Sequence, residues 1–186
     1  MRINTVVVAT LALPAPAYAG AFDFKDAAGF EKCMQLDHLV ETTRTGAGAE
    51  HRVLGPDEIQ PRCVAAEVAL VEKTKDKALA ATGVAITRRE SSPELALDPV
   101  GALVKLSLPA CNDSDIYSIV MRPMSEGYDT DYGKKHAIPI IKRCLKDKQF
   151  KQDFLEEKDS SDAVRAANVC QILLEAKLVK SCKGSK

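Results

Sequence analysis

The chain has 186 residues, of which 46% are apolar, 28% charged and 5% aromatic, and its 26 basic and 26 acidic side chains cancel. At about 100–200 residues per domain this is enough chain for one real core. A neutral balance with no local basic cluster excludes the electrostatic footprint of a nucleic-acid binder, and the apolar fraction excludes wholesale disorder.

At the N-terminus, Arg2 is followed by the mostly apolar run Thr5 to Leu13, then by Pro14 and Pro16, then by Ala17-Tyr18-Ala19. That order is a leader with small residues where a signal peptidase reads. The run of about nine residues is far short of the roughly twenty needed to cross a bilayer. No cysteine precedes Cys33, so no thiol is placed for lipid attachment. Residues 1–19 are therefore expected to be a cleaved Sec-type signal of bacterial style, leaving a single helical domain over 20–186. The expected location is periplasmic or secreted, the protein not a lipoprotein and without a membrane span.

Alanine, leucine, lysine and glutamate dominate the remainder, a helical composition. Asp26 is placed to cap a first helix running to about Thr42, with Phe30, Cys33, Met34, Leu36 and Val40 on or near one face. Thr43 to Gly55 reads as a loop. A long second helix follows Pro56 and Pro61, striped by Val64, Val68, Val71, Ala78 and Leu79, with Gly83 at its end. Ser92-Pro93 and Asp98-Pro99 read as cap-plus-proline starts, the second opening a helix from Pro99 to Leu108. Asn112 or Asp113 caps a short helix carrying Ile116, Ile119 and Val120, which ends near Pro123. Ser125 to Lys135 is the most polar stretch and reads as a loop; its Asp129-Thr130-Asp131 lacks the ligand set of a calcium loop. Helical spacing resumes with Ile140, Ile141, Cys144 and Leu145, then Phe150, Phe154 and Leu155. Ser160 or Ser161 caps a last helix striped by Ala163, Ala167, Cys170, Leu174 and Leu178. The expectation is an all-α array or bundle of antiparallel helix pairs.

Six cysteines in an exported chain imply disulfide staples. Antiparallel packing of the first two helices brings Cys33 level with Cys63. The same folding-back logic pairs Cys144 with Cys170, with Cys111 as an alternative partner for Cys144. Cys111 with Cys182 follows by elimination. Cys170 with Cys182 is disfavoured, since twelve helical residues span about 18 Å, unless the helix ends early and the chain doubles back.

The segment Phe154 to Leu173, FLEEKDSSDAVRAANVCQIL, orders a leucine, an aspartate loop, Val164-Arg165 and Ala167 in a way that resembles a HEAT-type helical repeat. The resemblance implies stacked helix pairs and protein binding, without catalysis. It makes Asp159, Asp162 and Arg165 the candidate interaction surface, with Val164 facing the preceding helix.

Catalytic chemistry finds little footing. His38, His51 and His136 have no metal-ligand spacing, and no nucleophile elbow, P-loop, dinucleotide fingerprint or zincin motif occurs. Neither a metal nor a cofactor is expected. The expected function is an exported, non-enzymatic protein-interaction or scaffold module, for instance a periplasmic part of a secretion or motility machine, whose partner is another envelope or secreted protein. A helical carrier of a small apolar ligand is the alternative, and a cysteine-dependent hydrolase the second alternative.

Overall fold

The structure, a computed structural model, describes residues 21–45, 48–91, 94–125 and 130–182. The expected leader, Ser92-Pro93 and part of the expected polar loop lie outside them. The described residues are mostly helical, with eight α-helices and two short strands, and they divide into two compact units at Ser91–Ser92. Among them no helix is long and apolar enough to cross a membrane.

In the first unit, α1 (Ala27–Met34) starts at Asp26, whose carboxylate accepts from the Gly29 amide at 2.8 Å. It buries Phe30, Cys33 and Met34. The helix expected to continue to Thr42 ends here. Leu39–Thr45 is instead a strand, β1, paired antiparallel with β2 (Gly48–Leu54) in a register running from Leu39↔Leu54 to Thr45↔Gly48. The correction has a local cause, because Val40, Thr42, Thr43 and Thr45 are β-branched and favour an extended, pleated backbone. Gly48, the first residue of β2, takes φ 138°, which glycine adopts without a Cβ penalty.

Helix α2 (Pro56–Thr74) has proline at its first position and Asp57 and Glu58 in its first turn, where acidic groups oppose the helix dipole. The single long helix expected through Leu79 is broken. Lys75 adopts the left-handed region at φ 59°, and Asp76 caps a new helix, α3 (Lys77–Glu90), by accepting from the Ala78 and Leu79 amides. α1, α2 and α3 pack on one another, and the Cys33–Cys63 bridge joins α1 to α2 with Cα atoms 5.9 Å apart, as expected. Gln60 of α2 donates to the carbonyls of Met34 and Glu90, so one amide serves the C-terminal ends of both neighbouring helices.

Gly83 is no cap. It lies inside α3 against Glu67 of α2, and a Cβ there would stand 2.2 Å from Glu67 Oε1. The Glu67 side chain is fully inaccessible, neither oxygen has a hydrogen-bond partner among the described residues, and burial pushes its pKa up to about 8. The carboxyl is therefore held neutral where Glu67 of α2 packs against Gly83 of α3.

In the second unit, α4 (Leu97–Leu106) buries Leu97, Val100, Leu103 and Val104, mostly against α6 (Thr130–Cys144). It starts before Asp98, which sits in the first turn rather than at the cap. Next come a 3₁₀ turn (Leu108–Asn112), α5 (Ser114–Met121) and a second 3₁₀ turn (Arg122–Met124). Asp113 caps α5 through the Asp115 and Ile116 amides. Helix α6 begins at Thr130, so the polar stretch expected to be a loop through Lys135 is helical over its last six residues. Arg143 of α6 donates to the Val104 and Lys105 carbonyls and thereby closes the C-terminal end of α4. Asp147 caps α7 (Lys148–Glu156), which buries Phe150 and Phe154. A third 3₁₀ turn (Glu157–Asp159) leads to α8 (Ala163–Glu175), capped by Asp162 and not by Ser160 or Ser161.

Cys33–Cys63 aside, the pairings differ from expectation. Cys144 bonds Cys111, its alternative partner, and Cys170 bonds Cys182, so neither Cys144–Cys170 nor Cys111–Cys182 forms. The chain reversal that Cys170–Cys182 needs comes from a Schellman turn. Lys177 takes φ 58°, its amide donates to Leu174 O, and the Leu178 amide reaches back to Leu173 O at 2.9 Å. α8 packs chiefly on the Glu157–Asp159 and Arg122–Met124 turns, and Asn168 donates to the Met124 carbonyl.

Two measurements check this architecture. The unfolded-state carboxyl of residue 67 ionises near its ordinary value of 4.5 and the folded one near 8. The folded state thus holds the extra proton across that window, and stability falls as pH rises through it. Relative to Glu67→Gln, the native chain should lose on the order of 2–4 kcal/mol between about pH 4.5 and pH 8 in denaturant titrations. Non-reducing peptide mapping should recover the three bridges given above, and replacing both Cys111 and Cys144 by alanine should cost about 3–4 kcal/mol by the chain-entropy relation.

Candidate functional site

Helix α8 carries two apolar stripes. One, made of Val169, Cys170, Ile172 and Leu173, faces the core. The other, made of Ala163, Ala167 and Leu174, faces solvent, with Leu174 39% exposed. The stripe expected to be core is thus the outer one, apart from Cys170, which is buried, and Leu178, which is half-buried and lies beyond the end of α8. The bulkier branched side chains win the interior because they remove more apolar area from water than alanine does. Val164, expected to face the preceding helix, is half-buried in the first turn.

The outer stripe forms the floor of a groove of about 910 Å³. Lys158, Asp159 and Ser160 form one wall, and Ser181 with Cys182 the other. The Cys170–Cys182 bridge cross-links the second wall to α8, closing the chain that leaves the helix after Lys177 back onto it.

The three expected surface residues are not brought together as one charged patch. Asp159 stands on the groove wall, paired with Lys158. Asp162 is the cap of α8; the hydrogen bond from the Arg165 amide, 2.9 Å, is the first cause holding its carboxyl below the ordinary range. Arg165 lies 3.3 Å from Glu157, which also accepts from the Tyr117 hydroxyl at 3.2 Å. Burial, then the Glu157 charge, pushes the Tyr117 phenol well above its usual range, so it serves as a hydrogen-bond donor. A shallower polar groove of about 560 Å³ opens beside Tyr117 and Glu157. Sequence reasoning named Ala163, Ala167 and Leu174 but placed them in the core, and it missed Lys158, Ala166, Gln171 and Ser181, for which the sequence carries no signal.

A second polar cluster joins α4 to α6. His136 Nδ1 lies 2.7 Å from Asp98 Oδ1, Tyr132 donates to Asp98 Oδ2 at 3.3 Å, and the Tyr132 and His136 rings stack 4.0 Å apart. This arrangement orients an imidazole, but among the described residues no serine, threonine or cysteine hydrogen-bonds to His136. Nor do the described residues contain a group of three His, Cys, Asp or Glu side chains that could hold a metal ion. All six cysteine sulfurs are committed to bridges, so none is a thiolate nucleophile in this state.

The two stripes make opposite predictions. Val169→Asp should bury an unpaired carboxylate and abolish cooperative thermal unfolding of the second unit. Leu174→Asp should move the thermal midpoint by less than about 2 °C, within the range of ordinary surface changes. The reverse pattern would put the groove floor in the core.

Comparison with protein-family models, with curated proteins and with solved structures finds no match to this chain.

Proposed function

We propose that the protein is an exported, non-enzymatic interaction module that holds a short apolar segment of another envelope or secreted protein in the α8 groove. The observation that carries this reading is the exposed Ala163–Ala167–Leu174 stripe lying along a walled groove. Small side chains on the floor let a partner backbone approach closely, while Leu174 supplies an apolar contact and Lys158 and Asp159 supply a polar rim. Export is supported by the three bridges and by the leader-like residues 1–19, which point to a periplasmic or secreted location. The HEAT-type reading of residues 154–173 is supported by the Asp162-capped helix opening with Val164-Arg165. The packing of α8 on 3₁₀ turns favours one such unit over a stacked array.

One observation favours a second reading, a carrier of a small apolar ligand: the groove volume falls within the range of about 300–1,000 Å³ typical of small-ligand sites.

The experiment is capture from a native envelope fraction, identification of the bound protein, and direct binding with that protein purified. Ala167→Arg fills the groove floor from an exposed position and should leave the circular dichroism spectrum unchanged. It should weaken binding at least about tenfold, or about 1.4 kcal/mol. Unchanged affinity removes the groove reading. Native mass spectrometry before and after delipidation tests the carrier, which requires a bound mass that Ala167→Arg displaces.

A further inference from the structure

In the two-stranded sheet of the first unit each strand has one edge without a strand neighbour. The strands are not equivalent. Val40, Glu41 and Thr42 of β1 are half-buried, whereas β2 leaves six successive residues, Gly48 to Val53, exposed. Edge strands are ordinarily blunted by charged side chains, above all lysine, by proline or by a bulge, and the charges of β2, Glu50 and Arg52, are of opposite sign. β2 contains neither lysine nor proline, and its register with β1 runs without a bulge.

Its sequence is self-complementary about His51. With two copies of β2 laid antiparallel on a two-fold axis through His51, Glu50 of each faces Arg52 of the other, and Ala49 of each faces Val53 of the other. Strand alternation puts these pairs on opposite faces. Ala49, His51 and Val53 share the face where the Thr42 hydroxyl meets His51 Nδ1 at 2.9 Å. Glu50 and Arg52 share the face turned to α2, where Arg52 pairs with Glu58 and still keeps 65% of its side chain exposed. The planar guanidinium has donors for a second carboxylate. Val53, also 65% exposed, is the more exposed of the two large hydrophobics left open among the described residues, and the same pairing covers it.

We propose that β2 is a homodimerisation edge: a second copy of this chain adds antiparallel across the His51 axis, converting two hairpins into one four-stranded sheet. The interface is isologous, so each favourable charge pair occurs twice. Strands of seven residues bury far less than the roughly 1,600 Å² of a standard interface, so the dimer is weak and concentration-dependent.

Sedimentation equilibrium on the full chain, at concentrations up to about 1 mM, should show a monomer–dimer equilibrium. Glu50→Arg and Arg52→Glu each place like charges opposite one another twice, and each should weaken dimerisation at least about tenfold. An equimolar mixture of the two variants should recover a heterodimer, which distinguishes charge pairing from damage to the fold. His51→Cys should form an intermolecular disulfide under mild oxidation, because directly opposed residues have Cα atoms about 4.5–5.5 Å apart. A wild-type chain that stays monomeric, a mixture that does not recover dimer, or cross-linking through Thr42→Cys instead of His51→Cys overturns the proposal.

Discussion

Several of the helices are too short to persist alone: α1 and α5 have eight residues each and α7 has nine. Isolated helices below about 12–15 residues are marginal in water, so these segments depend on what holds them against their neighbours. Covalent closure does much of that. Cys33–Cys63 fixes α1 on α2, Cys111–Cys144 fixes a 3₁₀ turn on the end of α6, and Cys170–Cys182 folds the C-terminal segment back along α8. Each bridge removes freedom from the unfolded chain and leaves packing to select the side-chain arrangement. The groove depends directly on this, since one of its walls is the segment that the last bridge ties down.

Within that covalent frame, aspartate carboxylates and bridging side chains decide where helices begin and end. Asp26, Asp76, Asp113, Asp147 and Asp162 each accept backbone amides at a helix start. Gln60 and Arg143 do the converse at helix ends, donating to terminal carbonyls of neighbouring helices. Terminal polar groups that would otherwise stay unpaired thereby become contacts between elements. Glu67 is the exception, because its buried carboxyl has no partner among the described residues and stays protonated to avoid a buried charge.

What could be read from sequence follows the range of the interactions involved. Asp26 and Asp113 were legible because a cap acts over two or three residues. The hairpin was not, since among its residues of described burial only Leu39 and Leu54 are buried, and its sequence has no apolar alternation to betray it. The ends of α2 and α8 were hidden for a related reason: the left-handed residues are Lys75 and Lys177, where glycine would have been the signal. That concealed turn at Lys177 is also why helix length in the sequence disfavours Cys170–Cys182. At the groove the apolar positions of α8 were visible, but which stripe faces inward is a tertiary choice. Ile172 and Leu173 outweigh Ala163 and Ala167 only once both compete for the same core.

The order of the cysteines has a consequence for how the chain is made. Cys33 pairs with Cys63, Cys111 with Cys144 and Cys170 with Cys182, so each bridge joins two cysteines that are consecutive in the sequence. A polypeptide threaded amino end first into an oxidising space can close each bridge as the second thiol of the pair emerges. No correct bridge has to wait for a cysteine beyond the next one. An oxidant that acts on the emerging chain therefore suffices, without thiol–disulfide exchange to undo earlier bonds.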